Sequence, residues 1–199
     1  MSQIKNIFPI YVTRIVLCLV LAAFGGCADS AKLVTLQSKC DSLQTELESY
    51  KADEALQVTR FARFDSLDYD FYSNQKWDQF NQSHADDIKV YYPDGSTTTG
   101  LYPQHIDMLK PMFVFAPDTK IKEHPITFGR GDWTCAVGII EGTFSAPMPI
   151  GKGKSIPPTG KTFKLSMATI GRWGADGKMT EEYLFWDNQA FMQQIGLAK

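Results

Sequence analysis

Two adjacent carboxylates, Glu181 and Glu182, stand in the last extended run of the chain, residues 178–186. A carboxylate can take a proton from carbon next to a carbonyl if an apolar, water-poor pocket moves its pKa toward working pH. Successive strand residues face opposite sides, so only one of the pair can point inward. Met179, Tyr183 and Phe185 share the Glu181 face, while Leu184 and Trp186 share that of Glu182. Both faces are apolar, and parity leaves the choice open. Tyr183 is a phenol donor on the Glu181 face. His105, on a helix after the Gly100 turn, is placed to reach a pocket mouth and is the third candidate. Asp187 falls between a strand and a helix, the position of an N-cap, and is an alternate.

Other polar clusters predict less chemistry. His84, Asp86 and Asp87 at a strand entry read as a cap and a solvated turn. His124, before Pro125 on a strand, reads as structural. The three histidines share no ligand spacing, so no metal is expected. In Gly151-Lys152-Gly153-Lys154-Ser155, Met148 stands where a phosphate loop needs its first glycine. Ile156-Pro157-Pro158 also forbids the helix that must follow, so the segment reads as a hairpin loop beside the pocket. Cys18, Cys27, Cys40 and Cys135 form no CxxC pair and no zinc spacing. Cys135, in an apolar strand, reads as a small core residue.

The elements that position these groups come next. Hydrophobic content is 44% and aromatic content 13%, enough for one cored domain without a disulfide scaffold. The net charge of −2 and the lack of a Lys/Arg block exclude nucleic acid as the expected partner. Phe61, Phe64, Leu67 and Phe71 recur at helical spacing and predict a helix over 53–73. Trp77, Phe80 and His84 extend the pattern into a second short helix. Ile88, Val90 and Tyr92 alternate as a strand ending in the turn Pro93-Asp94-Gly95. A helix follows near 101–110, with Pro103 in its first turn and Pro111 as its stop. Strands are expected near 120–128, 132–145, 162–173 and 178–186, the last two joined by Asp176-Gly177. Asp187 caps a final helix that Gly196 ends. Helices followed by a meander of strands make an α+β layout.

The N-terminus predicts export. Lys5 and Arg14 precede an uncharged run from Ile15 to Phe24. The run is shorter than the ~20 apolar residues that span a bilayer but suits a signal sequence. It ends in Phe24-Gly25-Gly26-Cys27, which resembles the lipobox of bacterial lipoproteins, with Phe24 in place of the usual Leu. Cys27 is then the lipid attachment site. An ordinary secretory signal and an uncleaved anchor are the alternatives, and each exports the domain. Residue 28 is Ala rather than Asp, so an inner-membrane retention signal is absent. The expected location is the cell envelope, on the outer membrane facing the periplasm. Leu33, Leu36, Cys40, Leu43, Leu47 and Tyr50 follow a heptad pattern. Glu46 and Lys51 fall where they can pair across a parallel dimer, and a single amphipathic helix is the other reading. The expected organisation is signal peptide 1–26, lipid-anchored stalk 27–52 and folded domain 53–199.

Within that domain an ordered set of short motifs carries a resemblance. It comprises Tyr92-Pro93-Asp94-Gly95, Gly100, Pro117-Asp118, Gly131-Asp132-Trp133, Gly142-Thr143-Phe144, Pro158-Thr159-Gly160-Lys161, Asp176-Gly177-Lys178, Glu181-Glu182-Tyr183, Trp186-Asp187 and Gln194-Ile195-Gly196-Leu197. In this order and spacing, residues 75–197 resemble the SnoaL-like polyketide cyclase family of the nuclear transport factor 2-like superfamily. The resemblance implies a cone-shaped α+β barrel, a curved and mostly antiparallel sheet wrapped on helices around one apolar pocket. It also implies dimerisation through the sheet, and in the cyclases an acidic residue that serves an intramolecular aldol closure without cofactor or metal. The family's Glu-x-Trp pattern maps onto Glu181, with Tyr183 in the Trp place, which makes Glu181 the preferred carboxylate and Glu182 its alternate. Trp77, Phe80, Met108, Trp133 and Phe185 are the candidate pocket-lining side chains.

Three functions follow. The first, preferred because export separates the chain from cytoplasmic polyketide chemistry, is an envelope lipoprotein that binds an apolar or amphipathic small molecule. The second is a cofactor-free cyclase, isomerase or hydrolase with a pocket carboxylate. The third is a structural or assembly protein with a vestigial pocket. Fold alone does not choose among them. An inward, buried carboxylate with a nearby donor favours the second, and a purely apolar pocket the first.

Overall fold

The computed structural model describes residues 30–199. The signal segment, the lipobox and Cys27 lie outside the described residues. Contacts divide the chain at Tyr50/Lys51. One helix, α1 (Ser30–Asp65), runs through that division. No glycine or proline interrupts it, and Ala52, Glu54, Ala55 and Leu56 are strong helix formers, so no break falls at 52/53. Before the division, Leu33, Leu36, Leu43, Leu47 and Tyr50 are exposed, as is Cys40. No helix of the described residues is long and apolar enough to cross a membrane.

In the second unit, residues 51–199, the end of α1 holds two turns. Gly131 donates its N–H to the Asp53 carboxylate at 2.9 Å, and its carbonyl accepts from Gln57 at 2.9 Å and from Arg60. Arg63 donates to the Gly177 carbonyl. Gly131 and Gly177 have φ of 56° and 74°, which other residues adopt only with strain. Beyond α1 the coil widens to a π-helical segment over Ser66–Tyr72, which buries Leu67, Asp68, Phe71 and Tyr72. A 3-10 segment, Trp77–Gln82, then leads into the sheet.

The strands are β1 (His84–Tyr91), β2 (Thr97–Thr99), β3 (Lys120–Ile121), β4 (Ile126–Arg130), β5 (Trp133–Thr143), β6 (Met148–Pro149), β7 (Ser155–Ile156), β8 (Thr162–Trp173) and β9 (Met179–Trp186). The main sheet runs β2-β1-β9-β8-β5-β3, with β4 also on β5. Every pairing is antiparallel except that of β1 with β9. The sheet is α+β as expected, but it stays open rather than closing into a full barrel. The glycine loop joins β6 to β7, a separate two-stranded hairpin.

Two expectations change. His84 belongs to β1 and is fully buried, not a cap or a solvated turn. Pro111 does not stop its helix: α2 (Ile106–Phe115) continues through it. Pro111 is exposed, so the helix loses one internal hydrogen bond on its solvent side, where water can satisfy the freed carbonyl. Asp187 caps the last helix, α3 (Asn188–Gln194), accepting from the Ala190 N–H at 2.9 Å. The core is aromatic-rich. Phe64 meets Trp173 edge-on at 5.6 Å, and the Trp173 indole donates to Thr134 Oγ1 at 2.8 Å.

Candidate functional site

Between the helices and the sheet lies a cavity of about 390 Å3, within the size range of small-molecule sites. Its walls are largely apolar: Leu67, Tyr72, Phe80, Leu109, Met112, Phe115, Ile140, Phe163, Leu165, Leu184 and Phe191 among them. Five carboxyl and imidazole groups interrupt this lining, Asp68, His84, Asp94, His105 and Glu182.

The last strand decides which glutamate enters. A bulge interrupts the pairing of β9 with both neighbours between Met179 and Glu181. Strict alternation therefore fails there, and Met179 is buried on the Glu182 side rather than beside Glu181. Glu182 is 4% exposed and faces the cavity with Leu184 and Trp186. Glu181, the preferred candidate, lies on the outer face. It accepts from Arg172 at 2.7 Å and from the Tyr183 hydroxyl at 2.9 Å. The Arg172 guanidinium, with the Tyr183 donor, holds its carboxyl below the ordinary value. Tyr183 stacks on Tyr91 at 4.3 Å, and its bond to Glu181 helps push its phenol up to about 12. Neither reaches the cavity, because the strand's pleat turns both outward.

His105 does reach it. Its Nε2 lies 3.4 Å from Glu182 Oε2, and its Nδ1 lies 2.9 Å from the Tyr92 hydroxyl. His84 stands on the other side, with Nε2 3.8 Å from the same oxygen. The His84 Nδ1 is 3.2 Å from the Phe80 carbonyl and 3.0 Å from Ser83 Oγ. A carbonyl can only accept, so this Nδ1 carries the hydrogen. Neither His84 Nε2 nor Glu182 Oε2 has a hydrogen-bond partner. Burial pushes the Glu182 carboxyl up, but the two imidazoles pull it down further, and the carboxyl is held below its ordinary range. Burial holds His105 at about 4. Near neutral pH the site therefore presents a carboxylate beside a neutral His105.

Asp68 belongs to a second cluster. Its carboxylate lies 2.8 Å from His124 Nε2, while His124 Nδ1 is 2.8 Å from Asp65. Burial raises Asp68 despite His124. Desolvation opposes the charged imidazole, but bonds to both carboxylates outweigh it and raise His124. His124, between β3 and β4 rather than on a strand, thus ties that connection to the end of α1 and the segment after it, with its ring against Tyr69 at 4.8 Å.

Of the predicted lining residues, Phe80 and Met108 border the cavity. Trp77 packs behind it against Phe80 and Phe113, each at 5.5 Å. Trp133 and Phe185 are exposed on the outer sheet face, turned away by strand alternation. Asp187 is occupied as a cap. Sequence reasoning missed His84, although it shares parity with buried Ile88 and Val90, a signal that could have found it. It also dismissed a metal on linear spacing, whereas the fold brings His84, His105 and Glu182 together.

An open α+β sheet over helices, with an apolar cavity and an inward carboxylate, defines a pocket protein of the nuclear transport factor 2-like class. The family model for SnoaL-like polyketide cyclase matches residues 64–195, more than half of the chain. The chain belongs to that family. Among solved structures, a SnoaL-like polyketide cyclase (putative) from Jannaschia sp. CCS1 is similar at 18% identity and a TM-score of 0.59. That match covers 73% of this chain and 94% of that one. IdmH from Streptomyces antibioticus, described as a polyketide cyclase (putative), is 20% identical, with a TM-score of 0.56 over 70% of this chain and 98% of that one. Both likenesses establish the fold. A comparison with curated proteins gives no match.

Proposed function

We propose that the domain holds an apolar or amphipathic carbonyl compound and uses Glu182 to move a proton on it, as in a cyclase or isomerase. The observation that carries this reading is the buried Glu182 carboxylate at the wall of an apolar cavity, beside His105 and its Tyr92 partner. Held below its ordinary range, Glu182 is ionised near neutral pH and free to accept a proton, and His105 is placed to stabilise negative charge on a bound oxygen. The cyclase relatives act on polyketides by their names alone, and this chain's substrate class is proposed from the cavity's chemistry. Export through a lipidated Cys27 completes the reading as an envelope lipoprotein.

Native mass spectrometry of the purified chain should show a co-purifying small molecule. Turnover of that compound should fall at least 100-fold in Glu182→Gln. Binding without any turnover would favour a carrier role, which the mostly apolar lining also supports. Metabolic palmitate labelling that persists in Cys27→Ser would overturn the anchor.

A further inference from the structure

The triad His84, His105 and Glu182 has a second use that proton transfer does not require. Its ligand-capable atoms all lie within 4.8 Å of one another, and all three residues are buried. The two imidazole Nε2 atoms converge on one carboxylate oxygen, at 3.4 and 3.8 Å. Four-coordinate zinc with ligand bonds of roughly 2.0–2.1 Å sets neighbouring ligand atoms about 3.4 Å apart.

The hydrogen-bond roles point the same way. The Phe80 carbonyl fixes the hydrogen of His84 on Nδ1, so a neutral His84 turns a bare lone pair toward Glu182. His84 Nε2 and Glu182 Oε2 thus face each other across a buried gap, and neither atom has a hydrogen-bond partner. A cation placed between them would partner both. On His105, the Tyr92 hydroxyl holds Nδ1 and leaves Nε2 aimed inward. Ligating histidines are commonly held in this way through their second ring nitrogen. Asp68, on the same cavity wall, adds a further carboxylate to the local field.

We propose that His84, His105 and Glu182 bind one divalent transition-metal ion of the zinc type, with its fourth position open to the cavity. Two imidazoles and one carboxylate are a donor set suited to such ions. The inference does not rest on the proton-transfer reading. A cation turns Glu182 from a base into a ligand, so the two states exclude each other. With the ion bound, the open position would polarise a carbonyl that enters the cavity.

The test needs no substrate. The full chain, untagged and stripped with a chelator, is titrated with Zn2+ by calorimetry. One ion per chain is expected. Glu182→Gln and His84→Asn should each weaken binding at least 100-fold. Tyr92→Phe, which keeps the ring and removes only the hydroxyl bound to His105 and Thr98, should weaken it roughly 10–100-fold and keeps the test open if the triad variants fail to fold. His124→Asn should bind as the parent does. No stoichiometric binding, or full affinity in Tyr92→Phe and the folded triad variants, would overturn the proposal. Loss of binding only in His124→Asn would overturn it too, by moving the ion to the other cluster. None of these results bears on whether Glu182 transfers protons in the metal-free chain.

Discussion

Glu181 and Glu182 are covalent neighbours whose carboxylates sit on opposite faces of one sheet. The first is bound by Arg172 and Tyr183 on the outer face. The second is enclosed between His84 and His105. The same side-chain chemistry thus occurs once in a screened surface setting and once in an apolar one. Exchanging Glu for Gln at each position separates them. Glu182→Gln should abolish turnover of a bound carbonyl compound by at least 100-fold. Glu181→Gln should leave turnover within about twofold, since exposed ion pairs contribute little. A large loss in Glu181→Gln instead would return the catalytic assignment to the outer face.

His124 gives the fold a pH dependence of definite sign. Its folded pKa lies above the ordinary 6.5 because Asp68 and Asp65 bind its charged form. That contribution is complete below about 6.5, the unfolded value, and is lost as pH rises through the folded value. Asp68, raised by burial, adds a loss of the same sign that sets in lower, as pH rises from its ordinary value of 3.8. Thermal melts should therefore show Tm falling as pH rises above about 6.5, and His124→Asn should flatten the slope. A Tm that rises over that range would contradict the arrangement.

Phe64 joins the last turn of α1 to the sheet through Trp173 and is 1% exposed. Replacing it by Ala should cost about 3–5 kcal/mol in urea unfolding of the chain. A cost under about 1 kcal/mol would mean that α1 does not pack there as described.

Cys40 lies on the exposed heptad face with Leu36 and Leu43. If two chains pair in parallel through this face, the two thiols meet at the seam and oxidise in an envelope environment. Non-reducing gels should show a dimer band that Cys40→Ser removes. A monomer under oxidising conditions would leave α1 as a single solvated helix.

The motif order from Tyr92 to Gly196 made the fold legible, because turns with positive-φ glycines and strand alternation are local properties. Asp187 as a cap was legible for the same reason. The site was less so. Glu181 and Glu182 could not be separated by parity, since both faces of β9 carry apolar residues and the bulge before Glu181 shifts the count. His84 looked like a solvated cap beside Asp86 and Asp87, yet it is the residue the β1–β9 pairing draws inward. The meeting of His84, His105 and Glu182 is a product of tertiary folding, and no spacing along the chain encodes it.

The parallel pairing of β1 with β9, which sets Lys89 beside Glu181, also governs when the site can come into being. Such a contact closes a long loop and is slow to form. During synthesis the two histidines emerge well before the glutamate that completes their group. Until the last strand is made and docks, the cavity lacks one wall and its only glutamate. A chain that ends before residue 179 lacks Glu182, Leu184, Trp186, Asn188, Phe191 and Met192 of the cavity lining. The grouping of His84, His105 and Glu182 is therefore completed in one late step, together with the final topology.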